Sequence, residues 1–572
     1  RICFVADDFD GNSSATETGH TLYSMGHAQG VEDGHGAYDI NRIFMDAYPQ
    51  VATPGGERYP EVEEAIDRQV RNGALLINYI GHGGERGWAH ERVLNTSTIG
   101  AWDNIDRMPL FFTATCELAR FDDPELETAG EMMVMNPNGG AIAMMTTTRV
   151  VYSYANEQLN SAFFAVAFDA PSGERQRLGD ILRRTKNHPS SGASSNKRNF
   201  TLLGDVALTL ATPSMEVRTS EINGVPVDAY ADTLSALEHV VVKGYVSDAA
   251  GNLLTDFNGF VYPTVFDQKS EVTTLNNDGG SSGVSYSEWR NRIHVGAVTA
   301  EGGVFSFEFV VPRDISYDPA PGRISYYAVD GDVDAHGYTE ELVIGGVNPD
   351  AVADNDGPAI ALFLNDTAFV SGGTTDSRPV LLAYLADDQG LNTVGNGIGH
   401  DLKMTLDGAD GAVLNEYYQS DLDTYQSGRV VFPMSGIAPG PHRLELKAWD
   451  VHNNSATAGL DFVVVEELQV FLDGLINYPN PLNGGGTTFR FDHNQACVAL
   501  DLNLSIYDGR GNAVWVGERT ETPSGYSVDG WHWDGQTAKG SPLDAGIYLY
   551  RLEVSTPEGR QAAKTGRLVL LD

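Results

Sequence analysis

Four short apolar runs divide the first 215 residues: Ile2–Ala6, Ala74–Ile80, Leu110–Thr115 and Gly140–Thr146. Each is continuously hydrophobic rather than alternating, as expected of strands covered on both faces. Between the first two, Tyr59–Val70 places Val62, Ala65, Ile66 and Val70 on one helical face, with Pro60 suited to the first turn and Gly73 to the stop. Strands separated by helical stretches predict an α/β domain with a mostly parallel sheet over residues 1–215. Downstream the rhythm changes. His239–Tyr245, Val304–Val311, Arg323–Val329, Val380–Tyr384 and His442–Asp450 are strand-like, often alternating, and bounded by Gly, Asp, Asn and Pro. Regularly spaced short strands with turn residues between them predict all-β sandwiches. The divisions fall near 350 and 470, giving β-sandwich domains over 216–350 and 351–470 and a C-terminal Ig-like sandwich over 471–572. The last contains YPNP (Tyr478–Pro481), WHWDG (Trp531–Gly535) and GIYLYRLEV (Gly546–Val554).

Length agrees with this division, since 572 residues exceed what one hydrophobic core supports and suggest roughly three to five domains. Charge changes the picture more. Thirty-seven basic side chains stand against 78 acidic ones, a net charge of −41, which repels a polyanion and argues against nucleic-acid binding. Two acidic stretches, Asp354–Pro358 (DNDGP) and Asp330–Asp334 (DGDVD), are candidate calcium loops, although neither has EF-hand spacing. The three cysteines, Cys3, Cys116 and Cys497, are too few for a disulfide framework. No apolar run of about eighteen residues is present, so no membrane-spanning helix is expected. The chain opens at Arg1 and enters a strand at once, which reads as the downstream part of a longer precursor whose signal peptide lies elsewhere.

In a parallel α/β sheet, functional groups collect beyond the carboxyl ends of the strands. Ala74–Ile80 runs into Gly81-His82-Gly83-Gly84, and Leu110–Thr115 runs into Cys116-Glu117, 34 residues after the histidine. That interval holds one crossover, which would bring an imidazole and a thiol to the same sheet edge. An unassisted thiol is mostly protonated at neutral pH, and a neighbouring imidazole both favours the thiolate and protonates a leaving amine. Backbone N–H groups of the glycines after His82, with that of Cys116, could stabilise a tetrahedral oxyanion. Cys3 and Cys497 lie in strand-like apolar surroundings and read as small core residues.

NYIGHGGERGWAHERVL (Asn78–Leu94) followed by PLFFTATCELARFDDP (Pro109–Pro124) resembles the gingipain family of caspase-like cysteine peptidases, and within it the sortase branch of the type IX secretion system. NGGAIAMMTTTRVVYS (Asn138–Ser153) and LLGDVALTL (Leu202–Leu210) continue the likeness to the end of the peptidase domain. IALFLNDTAFVSGGTT (Ile360–Thr375), LNTVGNGIGHDLKMTLDG (Leu391–Gly408) and the block Tyr478–Asn494 extend it through the β-domains.

The resemblance implies His82 as general base and acid, Cys116 as nucleophile, and the Gly83 and Cys116 N–H groups as the oxyanion hole. It also implies a carboxylate orienting the histidine, for which Asp7 and Asp8 both stand open, and an aromatic wall of the substrate pocket near Tyr152 and Tyr154. No cofactor is required by this chemistry, and the metal set is empty apart from the calcium expectation. The implied substrates are secreted proteins with C-terminal sorting domains, the implied acceptor a surface glycolipid amine or water, and the implied partner an outer-membrane β-barrel. The implied location is the cell surface, attached to the outer membrane. Two other readings fit the same residues: a gingipain-like peptidase that is itself secretion cargo, carrying residues 476–572 as its own sorting domain, and a surface adhesin with an inactive peptidase-like domain.

Overall fold

The structure is a computed structural model and describes residues 1–8, 18–169, 175–192, 195–279, 283–395, 399–465, 472–482, 486–493, 499–523, 527–537, 539–557 and 561–571. Its first unit is a six-stranded sheet. In chain order it comprises β1 (Ile2–Ala6), α1 (Thr18–Gly34), β2 (Ile40–Phe44), α2 (Pro60–Asn72), β3 (Leu76–Ile80), β4 (Leu110–Ala114), α3 (Ala129–Met135), β5 (Ala143–Thr147), α4 (Ser153–Ala167), α5 (Leu178–Asn187) and β6 (Phe200–Leu203). Across the sheet the strands run β6-β5-β4-β3-β1-β2, all parallel except the β5–β6 pair.

The continuous apolar runs are explained by what covers them. Phe4, Ile80, Phe112 and Met145 face α1, α4 and α5, while Val5, Ile77, Phe111 and Met144 face α2 and α3. Helix α2 follows its sequence signals closely, with Pro60 in its first turn and Gly73 at φ 82° as its C-cap. Four helices (α1, α3, α4 and α5) and two strands were not foreshadowed by periodicity. Helix α1 interrupts its apolar positions with Gly19, Gly26 and Gly30, and β2 and β6 are short strands at the two edges of the sheet.

After Met215 the described chain is built of strands and turns, with two short 3₁₀ segments at Val227–Ala229 and Asn415–Tyr417. A nine-stranded and a three-stranded sheet enclose a core of residues between Val217 and Ile344, joined by Val394. A four-stranded and a five-stranded sheet enclose a second core between Leu362 and Val464. A third core draws on Leu472 to Leu570 alone, between a three-stranded and a four-stranded sheet. Strict alternation of buried and exposed residues, as over Gly546–Ser555, fits one face packed and one solvated. Cys497 and Asp572 lie outside the described residues.

One hairpin leaves its own sandwich. Ser270–Thr273 pairs with Ser285–Glu288, and Val272 and Tyr286 pack into the core of the α/β unit, Tyr286 lying 5.0 Å from Phe44 between ring centroids. Its flank Lys269 reaches Glu32 of α1 at 2.6 Å, and Arg42 of β2 reaches the same carboxylate at 2.6 Å. The two acidic stretches behave differently. Asp330 folds its Oδ1 back onto the N–H groups of Asp332 and Val333. Asp354 gathers with Asp387 and Asp388, and separately with Asp450 and His452, each trio having ligand atoms within 4.8 Å of one another. Among the described residues no helix is long and apolar enough to cross a membrane, which leaves strand-built spans unaddressed.

Candidate active site

Strands β1, β3 and β4 are consecutive in the sheet and in register, with Ala6 opposite Ile80 and Ile80 opposite Ala114. Asp7-Asp8, Gly81-His82 and Thr115-Cys116 therefore leave the sheet side by side at its carboxyl edge. The pairing persists one residue further, since Gly81 N–H donates to the Ala114 carbonyl at 3.4 Å and Asp7 N–H to the Ile80 carbonyl at 3.1 Å. His82 and Cys116 each follow their strand's last residue by two, so strand alternation turns both toward the face covered by α1 and α4. Cys116 is half-buried there, packed against that core, with its Sγ 3.5 Å from the Val151 carbonyl.

The histidine is held from several directions. Asp7 Oδ2 accepts the His82 backbone N–H at 2.6 Å, and Tyr79 donates its hydroxyl to the His82 carbonyl at 2.6 Å. The chain then folds back through small paired strands, Gly83–Gly84 against Gly87–Trp88, and Ala89 N–H donates to the same carbonyl at 3.0 Å. This return stacks Trp88 on Tyr79 at 4.3 Å and the His90 ring on His82 at 5.2 Å. From α1, His20 meets the His82 ring edge-on at 5.4 Å. Close approach fixes two glycines. A Cβ on Gly81 would lie 2.4 Å from Asp7 Cβ, and one on Gly83 would lie 2.5 Å from Thr115 Oγ1 and 2.8 Å from the Gly87 carbonyl.

The two aspartates left open by the sequence take different places. Both are buried, at 2% exposure for Asp7 and 5% for Asp8. Asp7 crosses the sheet end toward the histidine, with ligand atoms of Asp7, His20 and His82 all within 4.8 Å of one another. Asp8 accepts the Tyr59 hydroxyl at 2.5 Å. Burial and the adjacent carboxylate push the Tyr59 hydroxyl far above its ordinary value, and burial and Asp7 do the same to Tyr79. Both tyrosines therefore remain proton donors over the whole working pH range. Asn277, at the tip of the visiting hairpin, donates to Tyr59 Oη at 3.2 Å and to Asp46 and Tyr48 of the α/β unit.

After the cysteine, the non-glycine Glu117 adopts φ 51°, so the chain turns sharply at the thiol. Glu117 N–H donates to the Arg149 carbonyl at 3.4 Å, Ala119 N–H to the Thr147 carbonyl at 3.0 Å, and the Thr147 hydroxyl to the Thr115 carbonyl. These bonds dock the nucleophile turn onto the segment after β5. Tyr152 and Tyr154 follow that segment and stand 74% and 68% exposed, and the segment accepts the thiol's hydrogen bond at the Val151 carbonyl. Cys3 is fully buried in β1, and burial pushes its thiol strongly up. His20, Tyr59, Val151 and Asn277 escaped sequence reasoning, because each reaches the site through tertiary contact. His90, eight residues after His82 in the same glycine-rich turn, carried the one local hint.

Residues 1–211 match the family described as Peptidase family C25. Among solved structures, dimeric latent PorU from Porphyromonas gingivalis is 30% identical, over 76% of this chain and 41% of its own, with a TM-score of 0.31. The Arg-specific cysteine proteinase gingipain R (RgpB) is 14% identical over 60% of this chain and 66% of its own, also with a TM-score of 0.31. A complex of the pro- and mature domains of Porphyromonas gingivalis RgpB is 14% identical over 59% and 68%, at 0.31. The chain thus spans less than half the length of the PorU chain it matches. No curated protein matches it.

Proposed function

From a first domain, residues 1–211, that belongs to the gingipain-type cysteine peptidases of family C25, we propose that this chain is a cell-surface cysteine endopeptidase. Its substrates are secreted proteins of the type IX pathway, from which it removes C-terminal sorting domains and transfers the acyl group to a glycolipid amine or to water. The observation that carries the reading is the emergence of His82 and Cys116 from adjacent, in-register parallel strands within that domain. The sortase branch is favoured by the motif likeness of the β-domain blocks Ile360–Thr375 and Leu391–Gly408, which lie outside the peptidase domain.

The chemistry follows from those positions. The Cys116 thiolate attacks the scissile carbonyl carbon, and the oxyanion formed is met by the Gly83 and Cys116 N–H groups. His82 gives its proton to the departing amine as the C–N bond breaks, leaving a thioester on Cys116. Water or an acceptor amine, deprotonated by His82, then attacks the thioester and frees the thiol. Asp7, holding the His82 amide, orients the base. An outer-membrane β-barrel would retain the enzyme where cargo emerges.

The test incubates the purified chain with a secreted protein carrying its sorting domain and follows the products by intact mass. Cleavage before the sorting domain, lost in Cys116→Ala, supports the reading. A mass gain on the cargo when an amine is supplied identifies transfer. Intact cargo alongside a readily cleaved general peptide substrate would replace the sortase by an ordinary secreted peptidase.

A further inference from the structure

We propose that Asp7, His20 and His82 form a site for a borderline transition-metal ion, Zn²⁺ above all, whose occupancy switches the peptidase off. The switching half of this inference rests on His82 being the catalytic base, as proposed above; the binding half rests on geometry alone.

Three observations carry it. One carboxylate oxygen and two imidazole nitrogens lie within 4.8 Å of one another, supplied by three separate elements: the end of β1, the first turn of α1 and the end of β3. Two ligands on one tetrahedral zinc, each about 2.0–2.2 Å from the ion, stand about 3.3 Å apart. Closing the trio on an ion therefore asks for side-chain adjustments of about 1.5 Å or less, within the reach of χ rotations. The ligands are also held in advance. Asp7 is fixed through Oδ2 on the His82 amide, the His82 carbonyl takes bonds from Tyr79 and Ala89, and the His82 ring meets His20 edge-on and stacks on His90. Asp7 and His20 are 2% and 4% exposed and His82 is half-buried, so an ion there would be largely enclosed, and three protein ligands on a tetrahedral ion would leave its fourth position to water.

The donor set selects the ion. Two imidazoles and one carboxylate suit Zn²⁺, Co²⁺ or Ni²⁺, whereas Ca²⁺ and Mg²⁺ prefer all-oxygen sites. Asp7 also belongs to a trio with Asp8 and Glu91, so a hard cation would draw on different partners and leave the histidines alone. Binding requires neutral imidazoles, and the nitrogen that ligates the ion can no longer accept or give a proton. The thioester step then loses its base and acid while Cys116 stays chemically intact. Inhibition is therefore reversible by chelation and distinct from oxidation or alkylation of the thiol.

The experiment titrates the full chain carrying Cys116→Ser with Co²⁺ alone and reads its visible ligand-field absorption, then displaces the cobalt with Zn²⁺. Binding is expected to persist without the thiol and to weaken at least about 10–100-fold in His20→Gln, a loss at least as large as outer-shell substitutions produce. His20→Cys guards against a merely misfolded variant: a cobalt ion at this site gains a sulfur-to-cobalt charge-transfer band. Absence of cobalt binding in Cys116→Ser would overturn the proposal by placing the metal on the thiol and His82. Binding indifferent to both His20 substitutions, or abolished by Ca²⁺, would overturn it equally. In the wild-type chain Zn²⁺ should suppress peptide cleavage and a chelator restore it. A metal-free chain that cleaves nothing while the cobalt spectrum obeys His20 would refute the peptidase reading and leave the metal site standing.

Discussion

At the scale of single residues, the proposed mechanism separates groups that would do chemistry from groups that hold them. Cys116→Ala and His82→Ala should each lower peptide cleavage by about 10⁴-fold or more, since a nucleophile and its base fail as a unit. The aspartates offer a sharper comparison. Asp7 bonds the His82 amide and Asp8 bonds Tyr59. A hydrogen bond to a charged group is worth about 1.5–3 kcal/mol, so Asp7→Asn should cost about 10–100-fold in kcat, with Asp8→Asn closer to wild type. Equal losses in kinetics of the two variants would remove Asp7 as the orienting group. Thiol reactivity gives an independent check. Iodoacetamide should modify half-buried Cys116 well before Cys3, which is fully buried and whose thiol burial holds strongly up. Peptide mapping after brief labelling reads the order directly. His82 and Cys116 were legible in the sequence because each ends an apolar run, and strand ends are where a parallel sheet exposes reactive groups. The choice between Asp7 and Asp8 was not legible, because both follow the same strand and only Tyr59, 51 residues away, draws one aside.

Between elements, the decisive contact is the hairpin that reaches from the second sheet system into the first. Asn277 donates to Tyr59 Oη, and Tyr59 donates to Asp8, so a loop of the β-region braces the carboxyl edge from which His82 and Cys116 emerge. Asn277→Ala and Tyr59→Phe should each reduce kcat by about 5–10-fold with little change in KM, a loss of roughly 1–1.5 kcal/mol for one hydrogen bond. The two losses should fall short of additive in the double variant, because both bonds belong to one chain. Fully additive effects in a double-mutant cycle would show that the bonds act separately. Nothing in the pattern of residues 270–288 announced this role. The segment reads as a short polar hairpin, and what it braces lies more than 200 residues earlier in the chain. Helix α1 was hidden for a related reason: its glycines and histidines break the apolar rhythm, yet Ala28 and Val31 are buried and His20 faces the site. Helix α2 was plain because its buried face is aliphatic apart from Gln69 and its ends carry Pro60 and Gly73.

Over the whole molecule, charge and core continuity set how stability is distributed. Burial, reinforced by Asp450, Asp354 and Asp388, raises the Asp387 carboxyl to about 6. A carboxyl raised in the folded state binds more protons than its unfolded counterpart between about pH 4 and 6, so its contribution to stability falls as pH rises through that window and levels off above it. The melting temperature of the wild type relative to Asp387→Asn should therefore decline from pH 4 to pH 6; a difference independent of pH would discount the cluster. Core continuity makes a stronger demand. The C-terminal core uses residues from Leu472 to Leu570 alone, whereas the core of the α/β unit includes Tyr286 and, at its margin, Val272, both carried by the distant hairpin. A chain ending at Val465 should thus keep both peptide cleavage and the melting transition of the α/β unit. A chain ending at residue 211, the limit of the family match, leaves Phe44 without its Tyr286 partner and Glu32 without Lys269. Losing one large buried aromatic costs about 3–5 kcal/mol, which for a unit of this size lowers the melting temperature on the order of 10 °C. Tyr286→Ala in the full chain should reproduce most of that loss, measured by calorimetry. If the 211-residue fragment melts with the full chain's α/β transition, the hairpin is an ornament and the α/β unit is self-sufficient; the packing of Tyr286 against Phe44 argues that it is not.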